Sequence, residues 1–155
     1  MVEDVVEQQP VVLTSEGRER LGLRLAQATD AMRRMAERFG QRAEIDAGDY
    51  GDYLRLSDQV SSLRKVLQTA QDPGSVPEDP TIVEVGDEVE VEFDDGEIER
   101  YVVVHPIEAG LDDQRVSAAS PLGTALLGRR VGDRVTVHAP AGAYACTLRG
   151  RARAR

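Results

Sequence analysis

The chain has 155 residues, with 28 acids against 19 Lys and Arg and a formal net charge of −9. That balance excludes a free-standing DNA or RNA binder, which needs a positive face to release counter-ions. Aromatic residues make up 4% and Trp is absent, so a core must rest on Val, Leu, Ile, Met and Ala; the single Cys146 excludes an intrachain disulfide and fits a cytoplasmic home.

From the amino end, Met1 to Pro10 holds three acids and no base. This is not a signal peptide, and 1–12 is expected to form a short extended arm. Next, Leu21, Leu25, Ala28, Met32, Met35 and Phe39 recur at steps of four and three, and Tyr53, Leu56, Val60, Leu63 and Leu67 at three and four. Both are heptad seams. Thr14 and Ser15 are natural N-caps, with Glu16 placed against the helix dipole. The glycine-bearing stretch between the seams, 40–51, is long enough only for a reversal, so 13–71 is expected to be an antiparallel coiled-coil hairpin. A first helix of about 26 residues would run about 39 Å.

Residues 71–80, QDPGSVPEDP, break both patterns with three prolines and mark 72–80 as a linker. Beyond it the period changes to two. Val85, Val89, Val91 and Phe93 alternate with acids, and Asp94-Asp95-Gly96 is a turn signal before a second strand, Glu99 to Val104. Shorter strands are expected at 115–118, 134–138 and 143–148. A short helix is expected at 121–127, opened by Pro121 and stopped by Gly128. Residues 81–155 therefore read as a small antiparallel sheet with one helix, and the fold class is α+β. No stretch approaches the roughly 20 apolar residues of a membrane span.

Four carboxylates, Glu44, Asp46, Asp49 and Asp52, crowd the expected reversal. Asp49 suits the N-cap of the second helix, with Asp52 close behind it, whereas Glu44 and Asp46 lack that explanation. Such a cluster also suits a divalent cation held elsewhere, since Mg²⁺ takes one or two carboxylates alongside water and phosphate. Arg33, Arg34, Arg38 and Arg42 make a basic flank on the first helix; a solvated face and a phosphate contact both stay open. Arg149 to Arg155 alternates Arg with Gly and Ala. It reads either as a solvated tail or as a partner for 78–99, which contains eleven acids and no base. No catalytic constellation is present: His105 and His138 have no cysteine or second histidine at ligand spacing, and Cys146 sits in an apolar strand. The chain is not expected to be an enzyme or to hold a metal or cofactor of its own.

Ser120 to Val135, S-P-L-G-T-A-L-L-G-R-R-V-G-D-R-V, closely resembles the signature of the Gre transcript cleavage factor family, S-P-[LI]-[GA]-x-[AG]-[LI]-[LI]-G-[KR] followed by V-G-D-x-V. Pro140-Ala141-Gly142 is similar to its Pro-Gly-Gly turn, and L-T-S-E-G-R-E-R-L from Leu13 to its L-T-x-x-G-x-x-x-L opening. The resemblance implies a coiled coil that enters the secondary channel of bacterial RNA polymerase. It also implies an FKBP-like carboxyl-terminal domain that grips the channel rim, with Ser120, Pro121, Leu122 and Gly123 as the polymerase-binding residues. RNA polymerase is then the expected partner of a monomeric chain, with nucleic acid met only inside the complex and no membrane involved.

In cleavage-stimulating members the tip reads G-D-[LF]-[SK]-E-N-A-E-Y, whose Asp and first Glu help hold the polymerase's second Mg²⁺. Here Gly48-Asp49-Tyr50-Gly51-Asp52-Tyr53 keeps the Asp, puts Asp52 where that Glu stands, and replaces Asn-Ala-Glu with Tyr53, Leu54 and Arg55. An Asp reaches one methylene less far, and two-metal chemistry tolerates little misplacement. With Glu44 and Asp46 added, the tip is also similar to those of inhibitory homologues, so restraint of transcription is expected ahead of stimulated RNA cleavage. An FKBP-type prolyl isomerase and a regulator of nucleoside diphosphate kinase are the remaining alternatives.

Overall fold

The computed structural model describes residues 11–155. The expected arm falls mainly on 1–10, outside the described residues. The chain divides into two compact units, Arg18–Thr69 and the described segments 11–17 with Ala70–Arg155. Together they hold α-helices and a five-stranded sheet, an α+β chain. None of the described helices is long and apolar enough to cross a membrane.

The helical unit is made by α1 (Ser15–Gly40) and α2 (Ala47–Thr69). Every seam residue anticipated on these helices is buried or half-buried, while Arg24, Arg33, Arg34, Arg55 and Arg64 between them are exposed. Burial is deepest at Leu21, Ala28, Val60 and Leu63. Near the link 41–46 it thins to an edge-on contact between Phe39 and Tyr53, whose ring centroids lie 5.7 Å apart.

The second unit is built on strands β1 (Asp87–Phe93), β2 (Ile98–Val104), β3 (Arg115–Ser117), β4 (Arg134–Ala139) and β5 (Gly142–Arg153) in the order β3-β2-β1-β5-β4. Val89 and Val91 alternate with Glu88, Glu90 and Glu92, so one face of β1 joins the core and the other meets water. Val103, Val135, Val137, Cys146 and Leu148 complete that face, and Leu122 and Leu126 of helix α4 (Pro121–Leu126) cover it. Each fully buried Val or Leu contributes about 1.5–3 kcal/mol, which offsets the shortage of aromatics. The turn at 94–96 forms as read, with Gly96 at φ 86° and its N–H on the Phe93 carbonyl.

Two expectations are corrected here, and one open choice is decided. The sheet is mixed, because β2 and β3 run parallel; the short helix α3 (Pro106–Ala109) carries the chain back between them, as a parallel pair requires. The strand expected at 143–148 continues to Arg153, pairing with β1 through a register shift at Glu90/Val91. The arginine-rich end is thus not a solvated tail. Arg151 reaches the fully buried Asp87 at 2.8 Å and Glu78 at 2.6 Å, and Arg153 reaches Asp87 at 3.0 Å.

Candidate functional site

The acidic segment 44–52 lies on the link between α1 and α2 and on the first turns of α2. Glu44, Asp46 and Asp52 are exposed and Asp49 is half-buried. The helix starts earlier than its sequence suggests: Asp46, not Asp49, is the cap, its Oδ1 accepting from the N–H of Gly48 at 2.7 Å and of Asp49 at 3.3 Å. Those amides belong to the orphan donors of a first helical turn. Asp49 is thereby freed from capping and instead takes a 2.8 Å ion pair from Nη1 of Arg42 across the link. Asp52 pairs with Arg55 on its own helix. Glu44 has no ion-pair partner among the described residues.

Of the basic flank, Arg33 bridges Asp30 and Glu37 and Arg34 also meets Asp30, so acids on the same helix already answer two of the four. The hydrogen bond and charge of Arg33 hold the Asp30 carboxyl below its usual range. Arg42 is committed to Asp49. The Arg38 side chain has no ion-pair partner among the described residues and faces solvent.

The stretch at Ser120 has a structural reason at nearly every position. Ser120 caps α4, its Oγ accepting from the Gly123 N–H at 3.1 Å, and Pro121 takes the first helical position. Leu122 is in the core. Gly123 passes so close to β3 that a Cβ would sit 2.0 Å from the Ser117 carbonyl oxygen. Gly128, at φ 76°, ends the helix in a conformation that favours glycine. Among Ser120, Pro121, Leu122 and Gly123, only Pro121 is exposed; it lines an open cleft with Ala125, Arg129, Arg134 and His138.

The opening at Leu13 is also structural. Thr14 caps α1 through a 3.0 Å bond from the Gly17 N–H and gives its own N–H and hydroxyl to Glu108. Glu108 is fully buried and also accepts from Arg115 at 3.1 Å. A Cβ at Gly17 would meet the Glu108 carboxyl at 2.2 Å, which explains the glycine. Sequence reasoning missed Glu108 and Arg115: neither stands in a periodic pattern, and the contact spans 94 positions.

Comparison with known proteins now decides the family. A profile described as "Transcription elongation factor, GreA/GreB, C-term" matches residues 78–148. The transcription elongation factor GreA of Chloroflexus aurantiacus is 36% identical over 154 residues, covering 91% of this chain and 96% of that protein. The chain belongs to the GreA/GreB family. Transcription elongation factor GreB of Pseudomonas aeruginosa is 35% identical, covering 84% of this chain and 83% of the relative. Among solved structures, GreA factor homolog 1 of Thermus thermophilus is 28% identical over 93% of this chain and 99% of its own, with a TM-score of 0.42. Proteins bearing the GreA and GreB names are elongation factors, not free-standing catalysts.

Proposed function

We propose that this GreA/GreB member regulates bacterial RNA polymerase by presenting the acidic segment 44–52 through the secondary channel to the catalytic Mg²⁺. In this reading α1 and α2 form an antiparallel coiled-coil hairpin, 13–71, of which that segment is the tip. Residues 81–155 form an FKBP-like domain that grips the channel rim, with 72–80 as the linker. One chain acts per polymerase, in the cytoplasm, and it meets nucleic acid only within that complex.

The observation that carries the reading is the exposure of Glu44 and Asp46 on the link between two long helices, and of Asp52 on the first turns of the second. Among the described residues no three His, Cys, Asp or Glu converge into a metal cluster, but one or two exposed carboxylates suffice for a Mg²⁺ whose other ligands come from elsewhere. That ion supplies Lewis-acid polarisation and an activated water at the polymerase centre. Asp49 and Asp52 are the tip residues that would face it, and Glu44 adds negative charge beside them. Asp46 is spent on the cap and shapes the tip.

Of the arginines, Arg38 is the one free to meet RNA phosphate, with Arg33, Arg34 and Arg42 nearby but already paired. At the rim, Pro121 is the exposed contact, and Ser120, Leu122 and Gly123 hold its helix in place. Restraint is favoured over cleavage because Asp52 replaces a longer Glu and its carboxylate lies against Arg55.

The deciding measurement uses a backtracked elongation complex with Mg²⁺. Slower nucleotide addition with no short 3′ RNA fragments beyond those of polymerase alone is expected, and Asp49→Asn, which leaves the Asp46 cap intact, weakens the slowing. Appearance of such fragments at cellular Mg²⁺ assigns the protein to cleavage stimulation instead. Failure to bind polymerase overturns the proposal altogether.

A further inference from the structure

We propose that Arg42 and Arg55 are the residues that set this tip towards restraint, acting as built-in counter-ions on the two carboxylates best placed to meet the polymerase's metal. The inference rests on the function proposed above and names the residues that determine its sign.

Two independent contacts carry it. Nη1 of Arg42, on the link, reaches across seven positions to Oδ2 of Asp49 at 2.8 Å. Nη2 of Arg55 lies against Oδ1 of Asp52 from the next helical turn. The second contact has a bland explanation, since an acid and a base three apart on a helix pair routinely. The first does not, because it joins the link to the first turn of α2. Together they leave no carboxylate on α2's first two turns without a guanidinium.

The chemistry of the exchange is specific. Guanidinium stays charged at any working pH and presents fixed donors to a carboxylate. Mg²⁺ demands near-octahedral geometry from its ligands. A carboxylate oxygen already accepting from arginine must give up that bond, or turn its other oxygen, before it can join the ion's shell. All four side chains are at least 45% exposed, and pairs this exposed are weak. The mask is therefore partial, and higher Mg²⁺ lifts it. Arg42 and Arg55 act through Asp49 and Asp52 and are positioning residues.

The test compares the full chain with Arg42→Gln/Arg55→Gln and with Arg42→Lys/Arg55→Lys, which keeps both charges. In free protein, the carboxyl ¹³C resonances of Asp49 and Asp52 report the pairs without polymerase. With backtracked complexes, cleavage is followed against Mg²⁺ concentration and polymerase affinity is measured alongside. The Gln variant is expected to move both carboxyl resonances and to leave polymerase affinity within about twofold. Its Mg²⁺ midpoint for cleavage should fall roughly fivefold, the scale of two weak exposed pairs. The Lys variant should stay near the parent.

Unmoved carboxyl resonances overturn the inference while leaving the polymerase reading intact. Moved resonances with an unchanged Mg²⁺ dependence overturn it too. If the parent chain does not bind polymerase, the function proposed above fails, and the inference fails with it.

Discussion

Ion pairs abound in both units, but the same chemistry has opposite consequences in each. On α1 and α2 the partners are solvated: Arg33 is 62% exposed and Arg55 76%. Pairs this exposed add little to stability. The sheet unit has exposed pairs too, such as Arg134 with Asp94, but two of its acids are sealed. Asp87 and Glu108 have no exposed surface, and their arginines, Arg151 and Arg115, are 8% and 7% exposed. A buried charge deprived of its partner is costly in a way an exposed one is not. The helical unit can therefore change its charges without losing its fold, while the sheet unit cannot do so at Asp87 and Glu108. A protein that delivers carboxylates to another machine has reason to keep the adjustable charges on the helices.

The largest expected effect tests that contrast directly. Asp87→Ala takes the buried acid from Arg151 and Arg153, leaving them the part-exposed Glu78, and removes the acceptor of the Glu84 N–H. It should destabilise the sheet unit by about 3–5 kcal/mol, read as a fall in the chemical-denaturation midpoint. Asp30→Ala on α1, which deprives two exposed arginines of one shared partner, is the matched control and should leave the midpoint nearly unmoved. Equal losses would erase the distinction between the two units.

A smaller effect sharpens it from the helical side. Asp46→Ala removes the side-chain acceptor for the Gly48 and Asp49 amides and should cost about 1 kcal/mol of helix stability. The loss should be confined to faster amide exchange in the first turn of α2. Asp46→Asn should restore most of it, because an amide oxygen caps as well as a carboxylate. Restoration by Asp alone would mean that charge, not capping, is the role of this residue.

What was legible in the sequence followed from how local its cause is. The heptad seams of α1 and α2 are a one-dimensional pattern, and the residues that carry them are the sheltered ones. The Asp-Gly turn and the Pro-to-Gly bounds of α4 are equally local. The cap of α2 was misplaced by three positions because Ala47 and Gly48 read as part of the reversal, yet they already belong to the helix. β3 forms within the strand expected at 115–118, but its parallel pairing and the four-residue α3 before it were not legible, since neither leaves a period in the sequence.

The far end of β5 has arginine, glycine and alanine where strands favour β-branched residues. Its course is set by the acidic strand beside it, through contacts 64 to 73 positions apart. Buried Glu108 likewise has no local mark. For the candidate site, residue identity was legible and pairing was not. Asp49 and Asp52 stood out from spacing, but that Arg42 and Arg55 meet them depends on where the helix begins.

The smallest expected effect concerns the one histidine given a structural task in the sheet unit. His105 caps α3, its Nδ1 accepting from the Ile107 N–H at 3.2 Å, a bond that only the neutral ring can accept. Burial holds its pKa below the ordinary imidazole value, against a smaller upward pull from Glu108. The unfolded chain therefore takes up a proton at higher pH than the folded one. The stability owed to the neutral ring is fully present above about pH 6.5 and is lost as pH falls through the lowered folded value. His105→Asn keeps a capping side chain without a titrating ring. Denaturation midpoints at pH 7.5 and 5.5 should then differ less in the variant than in the parent. Were the two pH responses identical, the cap would tolerate a charged ring, and the sheet unit would hold one more adjustable charge than its buried acids suggest.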